Sequence, residues 1–164
     1  MGGRAGGGGS GFGSRAGGMS DAAIQRLANS NQTFTTKDLS PLTEPKLMSG
    51  EWAMKSGSFD GGKIWDVHSP KIEHDVGVVG ESAPANPTGN SKKAKAAYLK
   101  AYNQWAPKMD AAYDKAIAGY KSEIGKTKNK AAKYHFAKNI EKYKGWKSDL
   151  AKTSAWINKV YAPK

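Results

Sequence analysis

Lysine and aromatic side chains alternate through KNKAAKYHFAKNIEKYKGWK, residues 128–147. Ammonium groups neutralise phosphates and rings stack on bases, so the mixture suits a polyanion-binding surface. It equally suits a plain helix with its rings inside and its lysines in water. At 100° per residue Ala132, Phe136, Ile140, Tyr143, Leu150, Ile157 and Tyr161 gather on one side, with Lys130, Lys138, Lys142, Lys152 and Lys159 opposite. Most of the alternation is therefore two faces read along one line, and Phe136, Ile140 and Tyr143 are predicted core. Tyr134 and Trp156 break the pattern. Both project into the lysine face, where a ring needs a ligand or another part of the chain as its partner.

Upstream, Lys93, Lys100, Lys108 and Lys115 recur at intervals of seven, eight and seven, a basic stripe that Asp110 and Asp114 lie beside without joining. A lysine stripe on one helix and a lysine face with two rings on another fit sequence-independent contact with a nucleic-acid backbone. All three arginines, Arg4, Arg15 and Arg26, precede residue 27. The basic half thus has no side chain for bidentate guanine readout. Arg4 and Arg15, with Phe12, are the binding-competent side chains of the N-terminal stretch.

Other groupings do not assemble a catalyst. GYKSEIGKT (119–127) lacks the first glycine of a phosphate-binding loop and closes a predicted helix, where such a loop opens one. WDVHSPKIEHD (65–75) offers Asp66, His68, Glu73, His74 and Asp75 as ligand types. Neighbours on a strand point to opposite faces, so these cannot all converge, and a solvated loop is expected. His135, at the edge of the apolar face, reads as a semi-buried histidine. No enzyme, metal or cofactor is predicted.

Three regions must position these residues. MGGRAGGGGSGFGSRAGG holds ten of the twenty glycines, and residues 1–19 are expected to form a disordered arm. Residues 20–90 begin with a short helix capped by Ser20, carrying Ile24, Leu27 and Ala28 on one face. Five prolines then punctuate a loop-rich segment with short β-favouring runs, TFTT, EWAM, KIWDV and VGVV. Asp60-Gly61 is a hairpin-turn signal, Trp52 and Trp65 are expected to pin that hairpin, and 80–91 is a linker by composition. From 91 to 164 the period is helical. Tyr98, Tyr102, Trp105, Met109, Ala112, Ala116, Tyr120 and Ile124 mark one helix, GKTKNK (125–130) the turn, and the stretch described above the second. Pro107 should kink the first helix or end it at Ala106. The predicted fold is mainly α: an antiparallel C-terminal helical hairpin behind a loop-rich middle and a Gly-rich arm.

Charge follows the same division. Residues 1–90 are net −1, while 91–164 carry 18 lysines against 5 acidic residues, net +13. Such a half needs a polyanion, an anionic membrane surface or an acidic protein partner, unless its charge serves solubility alone. There is no cysteine, no apolar run of membrane-spanning length and no secretory h-region. Gly6 stands where an N-myristoylation signal needs Ser or Thr. A cytoplasmic or virion-internal location is expected.

The opening MGGRAGGGGSGFGSRAGG resembles the Gly/Arg-rich headers of small open reading frames in bacteriophage structural modules, a compositional likeness over 18 of 164 residues. The resemblance implies a small virion or accessory protein that works by binding, packed against DNA or threaded between capsid or portal subunits. Nucleic-acid binding is therefore the leading expectation. An adaptor packing its aromatic helices on a protein partner is the alternative, and a cationic hairpin at membranes a lesser one, since its apolar faces are rich in Tyr and Ala.

Overall fold

The computed structural model describes residues 18–30, 32, 34, 53–59 and 62–163, with the backbone alone for 53–59 and 62–66. Arg4, Arg15, Phe12, the TFTT run apart from Phe34, Trp52 and the side chain of Trp65 lie outside that description. The elements in order are α1 (Asp21–Asn29), β1 (Ala53–Phe59), β2 (Gly62–His68), α2 (Pro70–Glu81), α3 (Lys92–Lys126) and α4 (Lys130–Val160). Among the described residues no helix is long and apolar enough to cross a membrane.

Each helix starts on a side chain that accepts one of its free N–H groups. Ser20, Ser69, Ser91 and Asn129 occupy the N-cap positions of α1 to α4 and accept from Ala23, Ile72, Ala94 and Ala132 at 3.0–3.1 Å. α3 and α4, 35 and 31 residues long, form the predicted hairpin. Its turn is tighter than the sequence suggests. Gly125 and Lys126 still belong to α3, and only residues 127–129 lie between the helices.

Pro107 does not end α3, which runs unbroken from Lys92 to Lys126. The missing N–H strands one carbonyl, that of Asn103, and Asn103 is exposed, so water can serve it. Apolar burial continues on both sides of the proline through Tyr102, Ala106, Met109 and Ala116, which offsets a local cost of about 3 kcal/mol.

The core lies where α1, β2 and α2 close on the hairpin. Tyr120, Phe136, Ile140 and Tyr143 are fully buried, with the Tyr120 ring 5.8 Å from Phe136 and 6.2 Å from Tyr143. Ile24 and Ala28 of α1 and Val76 of α2 belong to the same cluster. Met19, which the sequence places in the arm, packs against it too.

The middle segment is more ordered than expected. β1 and β2 pair antiparallel, from Ala53 opposite His68 to Phe59 opposite Gly62, so two residues join them as the hairpin signal requires. VGVV is helical instead of extended, and the expected loop at 65–75 is the end of β2 followed by the start of α2. Ser69 caps and Pro70 occupies the first turn, a helix start that overrides the β preference of valine. Val76 is buried, and Ile72 and Val79 pack against the core. Two buried side chains tie this junction to the hairpin. Tyr120 accepts from the Ser69 N–H at 2.9 Å, and Asn139 donates to the Val67 carbonyl at 3.1 Å.

Candidate nucleic-acid interface

Contacts between α3 and α4 decide which side of each helix faces its partner. Tyr102 and Ser154 share a hydrogen bond of 2.9 Å, and the Asn103 and Asn158 amides bond reciprocally at 2.9 and 3.0 Å. Lys147 reaches across to Asp114 at 2.8 Å and Asp110 at 3.4 Å. Hydrogen bonding to Asp114, aided by the field of both carboxylates, raises the Lys147 pKa. The acids beside the α3 stripe are therefore spent on a seam lysine.

Four further carboxylates are likewise paired with lysines. Asp21 pairs with Lys121, Asp75 with Lys71, Glu123 with Lys126 and Glu141 with Lys144. The Lys121 hydrogen bond holds the Asp21 carboxyl below its ordinary range. None of these cations belongs to the predicted site. Lys93, Lys100, Lys108, Lys115, Lys130, Lys138, Lys152 and Lys159 are exposed and Lys142 half-buried, and among the described residues none of the nine meets a carboxylate.

The two predicted rings part company. Trp156 is 59 % exposed on the lysine face of α4, as its position predicts. Tyr134 is only 8 % exposed, which corrects the expectation that it projects from that face. Phe34 covers it at 5.4 Å between ring centroids, and the ammonium of Lys138 lies 5.1 Å from its ring. Chain distant in sequence thus occupies the side of α4 that looks polar by periodicity. Trp146, at 44 % exposed, is the large open ring that the spacing did not single out. Lys142 lies 5.1 Å from its centroid and 4.8 Å from that of Tyr143, close enough for cation–π attraction. The Lys-Tyr-Lys-Gly-Trp sequence was the available signal, since Gly145 leaves the neighbouring surface bare.

Trp146 also borders an aromatic trough of about 610 Å³ between the helices, with Tyr98, Trp105 and Tyr113 on the α3 side. The Trp105 indole N–H donates to the Val79 carbonyl at 2.8 Å, which anchors the end of α2. The rejected ligand cluster is dispersed. His68 is buried with Nε2 3.2 Å from the Glu73 carboxylate, whereas His74 points to solvent. His135 is buried. GYKSEIGKT spans the end of α3, with Thr127 as C-cap.

Comparison with protein families, curated proteins and solved structures finds no match to this chain.

Proposed function

We propose that this protein is a non-enzymatic, sequence-independent nucleic-acid-binding protein that works through the outward lysines of α3 and α4, with Trp156 as a stacking ring. One observation carries the reading: among the described residues every lysine–carboxylate pair involves a lysine outside the site, so none of the nine site lysines is compensated by an ion pair. Lys93 to Lys115 cover roughly 33 Å of helix at 1.5 Å per residue, enough to follow several phosphates. Each phosphate met releases counterions, and four contacts give a slope of about −3.6 in log K against log salt. Lysine in place of arginine supplies point charges without base selectivity.

The test is binding to fluorescent single- and double-stranded DNA and RNA across a salt series. Steep salt dependence with little sequence preference is expected. Trp156→Ala should weaken single-strand binding about tenfold and duplex binding less, because stacking needs an open base. A flat salt response, or affinity that rises with salt, points instead to apolar assembly on a protein partner and sinks the reading.

A further inference from the structure

The cross-helix contacts that locate the seam also place the two lysine faces relative to one another. Tyr98–Tyr161, Tyr102–Ser154, Tyr113–Tyr143 and Tyr120–Phe136 fix the inward direction of each helix. At 100° per residue, Lys93, Lys100, Lys108 and Lys115 fall within about 60° of the direction opposite that seam on α3. On α4, Lys130, Lys138, Lys142, Lys152, Lys159 and Trp156 fall within about 70° of the opposite direction. The two faces therefore look away from each other. They are separated by roughly 20 Å, an interaxial distance of about 9 Å plus one helix diameter of about 11 Å.

A nucleic-acid segment lying along one face cannot reach the other without wrapping around the hairpin. From this we infer that a single copy of the protein bridges two nucleic-acid segments, one on each lysine face. The inference rests on the binding reading above and adds to it a geometry and a consequence, the gathering of separate duplexes. Lys147 holds Asp110 and Asp114 at the seam, so these two carboxylates pair with a lysine outside both faces. The α3 face presents four lysines over roughly 33 Å and the α4 face five, from Lys130 to Lys159, over roughly 44 Å. Both tracks are long enough to hold a segment without help from the other.

The experiment mixes donor-labelled and acceptor-labelled DNA duplexes of unrelated sequence with the full-length protein at low salt. Energy transfer between duplexes should rise with protein, pass through a maximum and fall in excess, when each duplex is coated separately. Two variants isolate the faces: Lys93→Gln, Lys100→Gln, Lys108→Gln and Lys115→Gln together, and Lys130→Gln, Lys138→Gln, Lys142→Gln, Lys152→Gln and Lys159→Gln together. Each should still bind one duplex, with a smaller salt slope, and should lose most of the energy transfer. Circular dichroism melting confirms that both fold. Wild-type protein that binds duplex without energy transfer overturns bridging and leaves the binding reading standing. Energy transfer retained in either single-face variant also overturns it, because self-association or another segment then joins the duplexes. Absence of duplex binding at low salt overturns both.

Discussion

Tyr143 shows how one buried residue couples the core to solution conditions. Burial foremost, then the Glu73 carboxylate and Tyr113, push its phenol up to about 12 from an ordinary 10.0. An unfolded chain ionises this group near 10, whereas the folded protein keeps the proton until about 12. Its contribution is intact below pH 10 and is lost as pH rises through the interval between the two values. Tyr143→Phe should flatten the alkaline fall in urea-unfolding free energy over that interval. Burial also raises Tyr98 and Tyr113, so some slope should remain. A variant as steep as wild type would assign the slope to those groups instead.

At the scale of elements, α4 contains a weakness unrelated to binding. Gly145 sits inside the helix, is exposed, and a Cβ there would meet nothing within 4 Å. Gly145→Ala should raise stability by about 0.5–1 kcal/mol through lower unfolded-state entropy and better helix propensity. Equilibrium denaturation measures this directly, and a loss of stability would mean that α4 needs a local departure from helix at that point. The start of α2 illustrates the opposite balance. Ser69 and Pro70 initiate a helix through a valine-rich run, and burial of Val76 beside Ile72 and Val79 makes it persist. Local signals and tertiary packing agree there, and β propensity yields.

For the whole molecule the dominant electrostatic fact is self-repulsion. Lysines that meet no carboxylate raise the energy of the compact state, and salt relieves them. Neutralising Lys93, Lys100, Lys108 and Lys115 to glutamine should therefore raise the melting temperature by about 2–4 °C at low ionic strength. The difference should vanish at high salt. Under the proposed function the same substitutions should weaken polyanion binding, so stability and affinity would move in opposite directions. A drop in melting temperature would show that these side chains make stabilising contacts.

Periodicity made the hairpin legible, because burying one face of a long helix imposes a 3.6-residue pattern whatever the partner. It identified Tyr120, Ile124, Phe136, Ile140 and Tyr143 as core and the stripe from Lys93 to Lys115 as outward, and composition located the charge in residues 91–164. Asp60-Gly61 marked the hairpin because few residues suit a two-residue turn. Other features depend on chain distant in sequence. Phe34 covers Tyr134 while Trp156 stays open, although both rings occupy the lysine face by spacing. Lys147 draws Asp110 and Asp114 into the seam, and the crossing of α3 and α4 turns the two basic faces apart. Periodicity assigns a residue to a face of its own helix, but only packing between helices decides what that face meets.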